Sequence, residues 1–295
     1  MGRTTDDVTV RAADGRELRV AQWGAEDGPA VIYHHGWPSS RLLPHNHPGA
    51  AAERGIRLVS FDRAGYGGSS RAPGRTVASV AADTAAIADA LGLETFGVWG
   101  VSGGGPHALA CAALLPERVV AAALVAGMGP FDLPGLDFCA GMGEASQVEF
   151  PLAAQGIEVY EPYVREAVAE MLAATDGVDD GFDSVLSPID RELMQSGRFA
   201  ADMEAGKQVS LGGGHHGWLD DGLASVAPWG FDLAAIETPV LLIQGGQDLM
   251  VPPAHAYGMA AVLPNATLEF HPGEGHMTLG LAPERPLEWL ASRLR

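Results

Sequence analysis

The segment Gly100-Val101-Ser102-Gly103-Gly104 sets a serine in the pattern G-x-S-x-G. The apolar run Phe96-Gly97-Val98-Trp99 before it reads as a strand that turns through the serine into a helix. A serine on so tight a turn needs neighbours without side chains, and Gly100 and Gly104 meet that need. The amide of Gly103 then falls at a helix start, where unpaired N–H groups and the helix dipole favour an oxyanion. The plainer alternative is an ordinary glycine-rich βα turn. A phosphate loop is disfavoured, because no Gly-Lys-Ser/Thr follows and no G-x-G-x-x-G has an acidic partner downstream.

A nucleophilic serine requires a base, and histidine is the side chain poised near neutral pH. Of ten histidines, His276 stands out: Gly273-Glu274-Gly275-His276 follows the last expected strand, where the carboxyl edge of a parallel sheet collects site residues. His271 falls within that strand and His107 on the helix after the serine, so both read as packing residues. An orienting carboxylate should leave another strand end. Gln244-Gly245-Gly246-Gln247-Asp248 supplies one, 28 residues before His276, with Asp132 as the rival and a helix-capping turn as the bland role for Asp248. A second oxyanion donor is expected from His34-His35-Gly36-Trp37-Pro38, through the amide of Trp37. The His34-His35, His45-x-His47 and His215-His216 pairs lack further ligands at metal-site spacing, so no metal is expected.

These residues need a scaffold, and the chain offers strands alternating with helices. Residues 8–11 and 18–23, across the turn Ala13-Asp14-Gly15, read as a hairpin. Strands are expected at 30–34, 57–61, 95–101, 119–125, 239–244 and 267–271, with helices at 42–54, 76–91, 106–115, 253–262 and 286–293. Between Phe131 and Gly230 the rhythm breaks: 18 acidic residues stand against four basic ones, with helical patches at 163–172 and 191–205. The chain thus divides into a core of 1–130 and 231–295 and a helical, acidic cap of 131–230.

Composition narrows the function classes. A formal charge of −19 argues against nucleic acid. No apolar run has the length of a membrane span or a leader peptide, Met1 to Asp7 included, and Cys111 and Cys139 make no disulfide scaffold, so a cytoplasmic location is expected. Lys207, the sole lysine, is a poorly placed Schiff-base candidate.

Taken in order, His35-Gly36, the turn Asp62-Arg63-Ala64-Gly65-Tyr66-Gly67-Gly68-Ser69, the serine segment, the Asp248 loop and the His276 loop resemble the α/β-hydrolase family. Ala64 departs from the proline common there. The resemblance implies an eight-stranded, mostly parallel sheet flanked by helices, with a cap inserted after the sixth strand. The expected chemistry is ester or lactone hydrolysis without a cofactor, on a small molecule. Ser102 is nucleophile, His276 base, Asp248 its orienting acid, and the Trp37 and Gly103 amides are oxyanion donors. His35, Trp37, Phe131, Phe138, Met142 and Trp218 are the expected pocket residues. Alternatives are a proline-iminopeptidase-like aminopeptidase using Glu144, Glu149, Glu158 or Glu161, a carbon–carbon bond hydrolase or perhydrolase, and a silent ligand-binding member.

Overall fold

The structure is a computed structural model describing residues 7–174 and 180–294. The reading of Met1 to Asp7 as leaderless therefore lies, up to residue 6, outside the described residues. Strands β1 (Val8–Arg11), β2 (Glu17–Gly24), β3 (Ala30–His34), β4 (Arg57–Phe61), β5 (Phe96–Val101), β6 (Val119–Val125), β7 (Val240–Gly245) and β8 (Ala266–His271) form one sheet. Its order is β1-β2-β4-β3-β5-β6-β7-β8, with β2 antiparallel to both its neighbours and the rest parallel.

Helices α1 (His47–Glu53), α2 (Val80–Ala90) and α3 (Gly105–Leu114) belong to the first half. The segment between β6 and β7 contains α4 (Glu144–Ala154), α5 (Ile157–Ala173), α6 (Asp180–Ser184), α7 (Pro188–Met194), α8 (Gly197–Leu211) and α9 (His216–Val226). Helices α10 (Pro253–Val262), α11 (His276–Gly280) and α12 (Glu284–Ala291) complete the chain.

Side chains alternate across the central strands, so the sheet separates two cores. Val98, Ala122, Leu124, Val240 and Leu242 pack with α2, α3 and α10 residues on one face. Trp99, Val101, Ala121, Ala123, Leu241 and Ile243 pack with α1, α11 and α12 residues on the other. Covered on both faces, β3, β5 and β7 are buried at every position, which is why they read as unbroken apolar runs. The inserted helices have an apolar centre of their own around Tyr160, Val164, Val168 and Leu219.

Several elements differ in extent from their sequence pattern, α2 starting later and α5 earlier than expected. The helix expected at 42–54 begins only at His47, with Pro44 ahead of it and Pro48 in its first turn, where proline costs no helical hydrogen bond. The patch at 191–205 is two helices, since Ser196 takes an extended backbone and starts α8 afresh.

Candidate active site

Parallel register aligns the carboxyl ends of the central strands: His34 of β3 lies beside Gly100 of β5, and Gly245 of β7 beside His271 of β8. The loops leaving those ends carry Trp37, Ser102, Asp248 and His276, so residues far apart in sequence meet at one edge.

Ser102 opens a single 3₁₀ turn between β5 and α3, with φ of 55°, a region that non-glycine residues rarely occupy. Such strain persists only where surroundings enforce it. Here a Cβ on Gly100 would lie 2.5 Å from the carbonyl oxygen of Gly104, and one on Gly104 would strike the His34 carbonyl. Glycine at both positions lets the turn close against β3 and holds the serine up.

Asp248 follows β7, and its Oδ1 accepts the amides of Met250 (2.9 Å) and Val251 (2.7 Å). Its Oδ2 lies 2.8 Å from Nδ1 of His276, and Gln244 Nε2 donates to the same oxygen at 3.3 Å. Both side chains are buried. The two loops are also laced by backbone, Gly246 N to His271 O and Gln247 N to Glu274 O, each at 2.9 Å. Burial opposes a charged imidazole, but the Asp248 carboxylate, its hydrogen bond and the charge of Asp190 outweigh it and raise His276 above its ordinary value. The rival Asp132 is exposed.

Two cavities, of about 480 and 180 Å³, share Trp37, Pro38, Ser102, Met171, Phe182 and Met250 as walls. Ser102 thus stands where two lobes join. His276 and Gly36 line the smaller lobe, and Gly103 and Trp218 the larger. The Trp37 ring lies over Gly103, where a Cβ would come 2.5 Å from it. Four glutamates, Glu144, Glu149, Glu166 and Glu170, line the larger lobe with no Arg or Lys among the described lining residues. Buried Glu149 accepts from Tyr160 Oη and Trp218 Nε1, both at 2.5 Å. Burial raises its pKa against those bonds.

Of the expected pocket residues, Trp37 and Trp218 line the cavities. Phe138 and Met142 are instead buried behind Phe150, in a cluster against which Phe131 packs. His35 is buried beneath the loop, accepting Arg63 N at 3.1 Å. An aromatic or methionine in an apolar segment fits core and pocket equally well, so its type alone could not assign it. The histidine pairs are likewise engaged elsewhere, His45 with Asp202 and His215 with Glu161. Among the described residues no group of three or more His, Cys, Asp or Glu could hold a metal ion.

Sequence reasoning missed three residues around this site. Arg63 donates to the carbonyls of His35 and Gly36 and pairs with Asp221 of α9 at 2.6 Å. Asp190 of α7 accepts the amides of His276, Met277 and Thr278. Arg63 sits in a motif that was visible; the two aspartates gave only a local cue, Ser187-x-x-Asp190, that marks a helix start.

The family model for the alpha/beta hydrolase fold matches residues 29–283. This chain belongs to the α/β-hydrolase fold family. The enzyme is 31% identical to a non-heme chloroperoxidase of Streptomyces lividans, over 94% of this chain and 95% of that one. It is 29% identical to a non-heme haloperoxidase of Rhodococcus erythropolis, over 90% and 92%. Among solved structures, a thermophilic esterase from Thermogutta terrifontis superposes with a TM-score of 0.72 at 23% identity, covering 99% of the enzyme and 100% of the esterase. Among its described residues no helix is long and apolar enough to cross a membrane.

Proposed function

We propose that this enzyme is a serine hydrolase that cleaves a small carboxylic ester or lactone through an acyl-enzyme. The observation that carries the reading is the Asp248–His276 contact of 2.8 Å behind a cavity that His276 and the strained Ser102 both line. A ring that gives its Nδ1 proton to Asp248 keeps the Nε2 lone pair for the Ser102 proton. Ser102 Oγ attacks the carbonyl carbon, its proton passes to His276, and the Trp37 and Gly103 amides receive the negative oxygen. The intermediate collapses as His276 protonates the leaving alcohol. Water, deprotonated by the same ring, then releases the acid and restores the serine.

The inserted segment, 131–230, acts as the cap over a core of 1–130 and 231–295 and supplies most of the larger lobe. Its four glutamates favour uncharged or cationic acyl groups over anionic ones. Of the glutamates an aminopeptidase could use, Glu144 and Glu149 line that lobe, while Glu158, exposed, and Glu161, paired with Arg165 and His215, do not.

A fluorophosphonate should label the wild type and not Ser102→Ala, and that variant should lose at least about a thousandfold in kcat/KM on p-nitrophenyl esters. Absent labelling, or equal labelling of the variant, would sink the reading. A preference for prolyl arylamides over esters would move it to peptidase chemistry. The similarity to two haloperoxidases favours a second reading, in which hydrogen peroxide replaces water as acyl acceptor and releases a peracid. Peracid formation from acetate and peroxide that needs Ser102 would support it.

A further inference from the structure

Helix α11 begins at His276, and its N-cap position is Gly275, which has no side chain to receive the first amides. Those amides go to a residue 86 positions earlier in the chain. Oδ2 of Asp190 accepts His276 N at 3.0 Å, while Oδ1 accepts Met277 N at 2.9 Å and Thr278 N at 3.2 Å. The Ser187 hydroxyl fixes the carboxylate by donating to Oδ2 at 2.7 Å. Asp190 is fully buried, and a Cβ on Gly275 would lie 2.5 Å from its Oδ1. The glycine is therefore the space into which the carboxylate fits.

We propose that Asp190 is a positioning residue for His276, a capping carboxylate sent from the inserted helices to fix the backbone and ring of the base. The inference rests on the reading of His276 as the general base. A helix start is satisfied by any acceptor within reach of its amides, wherever that acceptor lies in the sequence. Here it ties the element over the cavity to the residue that moves protons inside it. With Asp190 in place, its carboxylate holds the first turn of α11 through three amides and the ring meets Asp248. Without that carboxylate the turn lacks its acceptor and the ring its fixed approach to Ser102. Of the charged groups, Asp248 faces His276 from the loop after β7 and Asp190 from α7. Asp202, Glu204 and Lys207 of α8 line the same small lobe. Two of these carboxylates, Asp248 and Asp190, favour the protonated ring.

The test compares Asp190→Asn and Asp190→Ala with Val164→Ala, which loosens the apolar centre of the inserted helices without touching Asp190. Each is assayed on a p-nitrophenyl ester across pH, and each is labelled with fluorophosphonate. Both Asp190 variants are expected to lose about tenfold to a hundredfold in kcat with a smaller change in KM. The acid limb of their kcat/KM profiles should move to lower pH, because a negative charge favouring protonated His276 has gone. Val164→Ala should keep the wild-type limb. Asp190 variants with wild-type kcat and limb would overturn the proposal, as would an equal shift in Val164→Ala. Should Asp190→Ala fail to fold, Asp190→Asn, isosteric and able to keep part of the amide set, carries the same readings. A wild type that neither labels nor turns over ester would fail the reading of His276 itself, a result distinct from either.

Discussion

The loop after β4 and the loop after β8 are each fastened to the inserted helices by a buried aspartate, but by different physics. At the first, Asp221 of α9 lies between Arg63 and Arg75, 2.6 Å from each, with His107 Nε2 at 3.3 Å. Burial alone would raise this carboxyl; the two guanidiniums and His107 hold it well below its ordinary value. At the second, Asp190 is met among the described residues by three amides and a hydroxyl rather than by a guanidinium. A carboxylate taken from water needs either opposite charge or several well-aimed donors. The enzyme uses the first solution where Arg63 must also hold the His35 and Gly36 carbonyls. It uses the second where a helix start already offers dipoles. The ionic knot should therefore matter most for stability, and the amide cap most for the placement of one ring.

The largest test removes the charge at the knot. Asp221→Ala strands Arg63 and Arg75 in the interior and should cost about 3–5 kcal/mol, read as a lower urea midpoint with unchanged slope. A loss similar to that of Asp190→Ala would erase the distinction between the two ends.

Acid separates the ends next, with opposite signs. Burial and the nearby Arg63 push His107 down to about 4, so it is neutral in the fold. The unfolded chain takes up a proton near 6.5 that the folded one refuses, so this stability is present above 6.5 and lost as pH falls toward about 4. His276 is raised, so its contribution is full below 6.5 and lost as pH rises through its folded value. His107→Gln should recover up to about 3 kcal/mol of the stability lost in that acid window, measured against wild type by urea unfolding at each pH. An unchanged acid dependence would show that His107 is protonated at the knot.

Gly275→Ala probes the other end by volume. The glycine has an ordinary extended backbone, φ −99° and ψ −165°, so alanine strains nothing except the Asp190 contact. Overpacking of this kind should cost about 1–3 kcal/mol and reproduce the kcat loss of Asp190→Asn. The smallest effect is expected of Ser187→Ala, which removes a helix cap from α7. It should lower stability by about 1 kcal/mol while the pH limb stays in place, since Asp190 keeps its three amides.

Much of this architecture could be read from the chain. The buried strands announced themselves as unbroken apolar runs, because a strand covered on both faces has no polar side to show. Ser102, Asp248 and His276 were each marked by glycines and by position after a strand, signals confined to a few neighbouring residues. Phe138 and Met142, expected on the cavity wall, lie in an apolar cluster with Phe150, since an apolar side chain carries no label for which neighbours will cover it.

By itself, then, the sequence determined the elements, their alternation and the placing of Ser102, Asp248 and His276 just after strand ends. Those follow from local backbone preferences and side-chain periodicity, which act over a turn or a strand. Only the tertiary structure decided that the cavity has two lobes meeting at Ser102, that Asp221 pairs with the Arg63 that holds the His35 and Gly36 carbonyls, and that Asp190 caps the helix of His276. A hydrogen bond or ion pair depends on distance in space, and a separation of 86 residues leaves no local trace of it.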